Sequence, residues 1–449
     1  MQVGRILEGI KRNLSGWGHF NNAIRRPSQN SIKRPNTPEP EHLFHSMSGK
    51  TNVAPKKYPV DRSFLPQRST PYSNQPITTF VIKVASRCNL ACTYCYMYEH
   101  PDQTWQQQPA LMSVETIRLL ANRLSEYVRD RNLKRILVVA HGGEPLLLGD
   151  DGLRNFFSII RAELSDREIA LDFGLQTNAT LVTEETVQVL QDFNVRAGVS
   201  IDGPARWNDV ARIDHSGNGS FARVMTGVEK LRNPNSGASV FGGFLTVANP
   251  NIEPTELLSF FETLKASAID LLLPDFNHNT YQYWQYPAGV FGRWLAEVFD
   301  LWLGDGSDME IRLFKILMKL VLGGRRGYDA LGSLSDGVVI IETDGSYHAL
   351  DVLKTAYHGA TVTGKSLTSH PIADLESEPL VRALSVKSVS AHHRCLSCHV
   401  FETCGGGYLP HRYRDDSGFD NASVFCMDLM FIIDHIRKRL ASELMPKET

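Results

Sequence analysis

Three cysteines crowd into one short run, Arg87-Cys88-Asn89-Leu90-Ala91-Cys92-Thr93-Tyr94-Cys95-Tyr96. The Cys-x3-Cys-x2-Cys spacing puts three thiolates on a single loop. An electron-transfer iron–sulfur cube uses four thiolates, so a cube held by three keeps one iron open to bind and activate a small molecule. Further along, His141-Gly142-Gly143-Glu144-Pro145 supplies two residues without Cβ atoms, where a ligand can approach the backbone, and a carboxylate able to meet an ammonium group. Gly-Gly-Glu-Pro alone also reads as a tight turn. One β–α unit after a cysteine triad, it becomes specific.

The chain has seven cysteines, and the other four form a second group: Cys395, Cys398, Cys404 and Cys426. An odd, clustered set argues for metal ligation over disulfides. The second group suits a fully ligated 4Fe-4S cluster or a four-cysteine zinc site, and a neighbouring redox centre favours iron. No apolar run is long enough to span a bilayer, and the first residues lack the apolar core and cleavage site of a secretory signal. The expected compartment is a reducing cytoplasm, with no membrane partner.

At 449 residues and 42% hydrophobic content, the chain can bury one large core and a smaller satellite. A net charge of −2 argues against general nucleic-acid binding. Residues 1–70 nevertheless carry twelve Lys/Arg against four Asp/Glu, a surplus of eight that leaves −10 for the remainder. Val3, Ile6, Leu7, Ile10 and Leu14 recur at helical spacing, but residues 21–75 read as an irregular, mostly disordered tail. The arm is either a contact for an acidic leader peptide or a solvated extension, and charge runs favour the second.

The elements that must position these groups follow from periodicity. Strand-like runs at 78–85, 135–140, 169–176, 195–201, 239–247 and 269–274 alternate with amphipathic stretches, some opened by helix-start residues such as Ser113 and Thr183. Six β–α units in series imply a parallel sheet. The distinctive polar residues fall just after successive strands: the cysteine loop, the Gly-Gly-Glu motif, Gln176-Thr177-Asn178, and Ser200-Ile201-Asp202-Gly203. Active sites of α/β barrels collect at such carboxyl ends.

The cysteine loop, with the Gly-Gly-Glu motif one unit later, resembles the signature of radical S-adenosylmethionine (radical SAM) enzymes. That resemblance implies an α/β fold, a partial (β/α)6 barrel, with a 4Fe-4S cluster on Cys88, Cys92 and Cys95. It implies S-adenosylmethionine held through Gly142, Gly143 and Glu144, with Tyr94, Asn178, Ser200 and Arg212 as further cofactor contacts. From the residues alone, Ser200 can equally cap a strand end, Arg212 can be a surface ion pair, and Tyr94 can pack over the cluster. The second cysteine group resembles the SPASM extension of peptide-modifying radical enzymes, which carries two auxiliary 4Fe-4S clusters. Here Tyr408 and Leu350 stand where that pattern has further cysteines, so one auxiliary cluster is expected. The implied organisation is a basic extension over 1–75, a radical SAM core over 76–305, a connecting region over 306–390 and a SPASM-like domain over 391–449.

Cys95-Tyr96-Met97-Tyr98-Glu99-His100, Glu342-Thr343-Asp344-Gly345-Ser346 with Asp351, Cys404-Gly405-Gly406-Gly407-Tyr408 through His411-Arg412-Tyr413, and Gly418-Phe419-Asp420-Asn421 resemble the FxsB-type maturases from about residue 76 onward. Those enzymes form three-residue cyclophanes, joining an aromatic ring to a β-carbon two positions along a ribosomally made precursor peptide. The resemblance implies such a peptide as partner and a reductant such as flavodoxin or ferredoxin. Asp351, beside the vacated cysteine position, is the candidate catalytic proton acceptor; the alternatives are a solvated loop aspartate there, or His348, His411 and the pair His392-His393. The glycine run at 405–407 reads as a tight fold around the auxiliary cluster or a flexible turn, and the aromatics from Tyr281 to Tyr286, with Trp284, as a peptide channel or as loop packing. Two competing functions remain: a sulfatase-maturing enzyme oxidising Cys or Ser to formylglycine, and a non-catalytic metal-binding peptide carrier.

Overall fold

The computed structural model describes residues 76–166, 168–233, 237–281, 286–304, 307–324 and 326–444. The basic arm and Trp284 lie outside these residues. Six parallel strands lie side by side in chain order: β1 (Ile77–Ala85), β2 (Arg135–Gly142), β3 (Ala170–Thr177), β4 (Arg196–Ser200), β5 (Phe241–Val247) and β6 (Ala268–Leu272). They are the six expected runs, and with their helices they make the partial barrel.

Helices α1 (Val114–Arg131), α2 (Asp150–Glu163), α3 (Glu184–Asp192), α4 (Ala205–Ala211), α5 (Phe221–Arg232) and α6 (Pro254–Thr263) fill the crossovers. Ser113 caps α1 by accepting a hydrogen bond from the Thr116 amide at 3.1 Å, and α1 stops where Asn132 turns left-handed at φ 47°. Thr183 and Thr186 form a reciprocal capping box on α3. Both threonine hydroxyls also donate to Asp150 in the first turn of α2, at 2.9 and 2.6 Å, so one carboxylate ties two helix starts together. Beneath them Phe156, Phe157, Phe173 and Leu190 pack against the sheet, each such side chain contributing about 1.5–3 kcal/mol of burial.

The sheet continues past the six units. β7 (Glu310–Ile311) pairs with β6, while β8 (Gly337–Ile341) pairs in parallel with β1 at the opposite side and carries the antiparallel strands β9 (Ser346–His348) and β10 (Val362–Ser366). The order is β10-β9-β8-β1-β2-β3-β4-β5-β6-β7. β8 therefore brings the segment that follows it against the open first edge of the barrel.

After β6 come α7 (Val290–Gly304) and α8 (Arg312–Val321), and the closing helix Cys426–Leu444 docks on α7. Asp428 accepts a hydrogen bond from the Gly292 amide at 2.8 Å, and a Cβ on Gly292 would sit 2.6 Å from the Asp428 carbonyl oxygen. Only glycine lets the two helices approach this closely. Among the described residues no helix is long and apolar enough to cross a membrane.

Candidate active site

The cysteine loop leaves the end of β1 and is held by backbone bonds within itself and to the segment after α4. The Cys95 amide donates to the Cys92 carbonyl at 3.1 Å, while the Ala91 and Thr93 amides donate to Ile213 and Ala211 at 2.8 and 3.0 Å. The second pair brings Arg212 to the loop. The Leu90 amide donates to Cys88 Sγ at 3.4 Å. Burial pushes the Cys88 thiol up to about 12 and raises Cys92 and Cys95 as well, and the charge on Cys92 adds to the rise at Cys88 and Cys95. Three half-buried thiols on one loop that resist ionisation alone suit a metal site, because a bound metal supplies the charge that displaces their protons.

Glycine at 142 and 143 has a reason in this geometry beyond ligand access. A Cβ on Gly142 would lie 2.2 Å from the Ala85 carbonyl oxygen, and one on Gly143 1.8 Å from Tyr98 Oη and 2.5 Å from the Arg87 carbonyl oxygen. The Gly143 and Glu144 amides donate to Ala85 and Arg87, each at 2.9 Å. The motif after β2 is thus laced directly onto the start of the cysteine loop. Glu144 is fully buried; its carboxylate accepts from the Thr177 hydroxyl at 2.6 Å and from the Asn178 and Leu146 amides at 2.8 and 3.1 Å. Four acceptor sites are available on a carboxylate, so one direction stays open. Asn178 completes the bridge, its amide nitrogen reaching Asn89 at 2.9 Å and Cys88 Sγ at 3.8 Å.

Tyr94, Arg212 and Asp202 form a chain: Arg212 donates to the Tyr94 hydroxyl at 2.8 Å, and that hydroxyl donates to Asp202 at 2.5 Å. Asp202 also accepts from the Val247 amide at 3.1 Å, which pins the ends of β4 and β5 together. Arg212 is buried and its Nε meets no acceptor among the described residues. A surface ion pair is therefore excluded for Arg212. It presents an unspent cationic donor beside Cys92, the kind of group that meets a carboxylate. Tyr94 and Asp202 form part of the wall of a cleft of about 730 Å³ at the carboxyl ends of β4, β5 and β6, with Trp207, Ala248, Phe276 and Tyr286 as apolar walls. Ser200 ends β4 paired with Leu245, and it does not line the cleft.

Asp351 opens the turn after β9 and is 4% exposed, so it is no solvated loop residue. It pairs with Lys83 of β1, itself fully buried. Lys83 also donates to the Gly142 carbonyl at 3.3 Å and lies 3.1 Å from His141 Nδ1. Burial pushes the Asp351 carboxyl up, but Lys83, Lys354 and His141 outweigh it and hold it below the usual carboxylate range. Lys354 pairs in turn with Glu342 at 3.1 Å, and His348, 3.6 Å from the same carboxylate, bonds Thr361 at 2.8 Å. Lys83 and Lys354 escaped the sequence reading, although a lone lysine inside an apolar strand signals a buried partner, and Asp202 was marked there only as one of the polar residues after a strand.

The model of the radical SAM superfamily matches residues 82–258, the stretch that carries the cysteine triad, the Gly-Gly-Glu motif and the Tyr94–Asp202–Arg212 chain. Over that stretch the chain carries a radical SAM domain. It therefore works with a 4Fe-4S cluster and S-adenosylmethionine, and the three thiols, with the unspent Arg212 donor beside them, fit that pair. The enzyme is 23% identical over 364 residues to a cysteine-type anaerobic sulfatase-maturating enzyme of Clostridium novyi, covering 78% of this chain and 92% of the relative. It is 23% identical to a serine-type anaerobic sulfatase-maturating enzyme of Bacteroides thetaiotaomicron, covering 83% and 92%. Its fold matches that of native anSMEcpe with bound AdoMet at a TM-score of 0.68 and 22% identity, over 81% of this chain and 98% of the other. Streptococcus suis SuiB bound to precursor peptide SuiA matches at 0.54 and 14% identity, over 78% and 76%.

In this radical SAM enzyme the second cysteine group gathers as well. Cys395, Cys398, Cys404 and Cys426 line one cavity of about 320 Å³, walled otherwise mainly by Val400, Phe401 and Met430. Gly405, Gly406 and Gly407 all have positive φ, at 69°, 81° and 77°, and a Cβ on Gly405 would meet the Gly332 carbonyl oxygen at 2.1 Å. The run is a tight fold around the cysteines, not a flexible turn. Arg412, buried beneath, spends its guanidinium on the carbonyls of Ser390, Phe419 and Asn421. Leu350 joins a second apolar cluster with Leu353, Leu380, Leu384 and Leu409, and Tyr408 packs against it. Tyr281 packs on Phe276 and Phe425, whereas Tyr286 faces the cleft, so the aromatic stretch divides between packing and lining.

Proposed function

We propose that this radical SAM enzyme is a peptide maturase that joins an aromatic ring to a β-carbon two residues away in a ribosomally made peptide. Cys88, Cys92 and Cys95 hold the open cluster, and Cys395, Cys398, Cys404 and Cys426 hold one auxiliary 4Fe-4S cluster. When bound and reduced, the first cluster with S-adenosylmethionine supplies a 5′-deoxyadenosyl radical able to take hydrogen from an unactivated carbon. Glu144 and Arg212 face the amino and carboxylate groups of that cofactor, and the Tyr94–Asp202 bond keeps the guanidinium aimed. The apolar cleft walls exclude water from the radical and fix the target carbon.

The carrying observation is the filled position: Leu350 and Tyr408 pack in an apolar cluster where a second auxiliary cluster would need thiolates, leaving one four-cysteine cavity.

Formylglycine formation is the second reading, favoured by the likeness to sulfatase-maturating enzymes over 78% and 83% of this chain. Anaerobic turnover with a genomically adjacent short peptide separates the two. A cross-link removes two hydrogens and suppresses backbone fragments inside the three-residue ring. Formylglycine leaves a linear peptide that reacts with an aldehyde-specific hydrazide, and that outcome would replace the first reading with the second.

A further inference from the structure

Asp275 follows β6 and stands in the wall of the 730 Å³ cleft, on the rim that also carries Tyr94 and Asp202. It is half-buried, and among the described residues its carboxylate meets no hydrogen-bond donor and no cation. The charged group that faces it is Asp329, which repels it; the hydroxyls of Tyr96 and Tyr408 feel its charge, and His100 and Asp202 share the cleft wall. An ionisable oxygen left unpartnered beside a like charge in a largely apolar cleft is an acceptor waiting for a proton. Asp351 differs: its Oδ2 is paired with Lys83, cationic groups rather than a like charge dominate its surroundings, and it does not line the cleft.

We propose that Asp275 is the catalytic base that takes the proton released by the peptide as the substrate radical is oxidised. The assignment rests on the peptide-maturase reading but not on which product forms. In either case the adenosyl radical takes one hydrogen atom from the substrate carbon. One electron then leaves the substrate radical for an iron–sulfur acceptor, and one proton leaves the aromatic ring or the side-chain hydroxyl or thiol. The new C–C bond or C=X double bond closes as that proton passes to Asp275. Burial, with Asp329 adding to it, pushes the Asp275 carboxyl up to about 7, so the base becomes competent as pH rises through neutrality.

The test compares wild type with Asp275→Asn, Asp275→Glu and Asp351→Asn as reconstituted holoenzymes. It counts modified peptide per 5′-deoxyadenosine from pH 5.5 to 8.5 and records the protonated-carboxyl infrared band over the same range. We expect Asp275→Asn to keep reductive cofactor cleavage while losing about 100-fold or more in modified peptide per cleavage, the scale of general-base catalysis. Wild type should show a rising limb near neutrality that tracks loss of a carboxyl band absent in Asp275→Asn, and Asp275→Glu should recover part of the yield with the limb displaced. Unchanged yield and limb in Asp275→Asn, or loss of the limb in Asp351→Asn instead, overturns the assignment. A wild type that cleaves the cofactor but modifies no peptide overturns the maturase reading itself, and the assignment with it.

Discussion

Lys83, in the first strand, and Asp351, in the turn beyond β9, form an ion pair in which both side chains are almost wholly withdrawn from water. This pair fastens the late segment to the carboxyl-terminal part of β1, beside the carbonyl of Gly142.

Breaking one half of such a pair strands a buried charge. Lys83→Met is therefore expected to lower unfolding free energy by about 3–5 kcal/mol. The double variant Lys83→Met with Asp351→Leu should recover much of the loss, a coupling that denaturant unfolding of the four proteins measures directly. A double variant no more stable than the single would show that the two side chains do not share the cost.

Gly143 allows no Cβ without moving the Arg87 carbonyl, a backbone atom. Gly143→Ala should cost about 1–3 kcal/mol as overpacking. Because the displaced backbone belongs to the cysteine loop, reconstituted iron content should fall with it. Normal iron loading and a normal melting temperature would remove the loop contact as the reason for glycine here.

Arg212 is proposed to meet the cofactor carboxylate. Arg212→Gln keeps a donor but no charge, and equilibrium dialysis should find S-adenosylmethionine bound about tenfold more weakly, near 1.4 kcal/mol. Tyr94→Phe removes the link that orients the guanidinium and should weaken binding in the same direction. Undiminished affinity in Arg212→Gln would leave that group as a packing element alone.

His411 is buried between Tyr408 and Phe425, and burial holds its ring down to about 3. The unfolded chain binds a proton near pH 6.5 that the folded chain refuses, so stability falls as pH drops below 6.5 and keeps falling toward 3. Between pH 6.5 and 5 this single residue should remove about 2 kcal/mol. His411→Leu should flatten that part of the melting-temperature profile, and a slope unchanged by the substitution would assign the acid sensitivity elsewhere.

Much of the barrel was legible because its strands are short, apolar and β-branched, and because Ser113 and Thr183 use their caps locally. β7 to β10 were not. A two-residue strand such as Glu310–Ile311 carries no period, and Gly337–Ile341 is apolar but finds its partner in β1, far back in the chain. The same distance hid the partner of Lys83. The cysteines could be grouped from spacing, since ligand loops are local, whereas the Tyr94–Asp202–Arg212 chain depends on the loop after β1, the end of β4 and the end of α4 meeting. Gly142 and Gly143 were marked by type, but their neighbours, Ala85, Arg87 and Tyr98, became visible only once β1 and β2 were placed side by side.

The seat that Gly292 offers to Asp428 also sets a timetable. Cys426, the first residue of the closing helix, is the last of the four thiols to leave the ribosome, and it reaches the others only when that helix settles on α7. The triad at Cys88–Cys95 has by then long been synthesised. The second group of thiols is thus complete only once the closing helix has docked, whereas the first is complete within one short loop, so a fault in docking that helix would spare the first set of ligands and leave the second one thiol short.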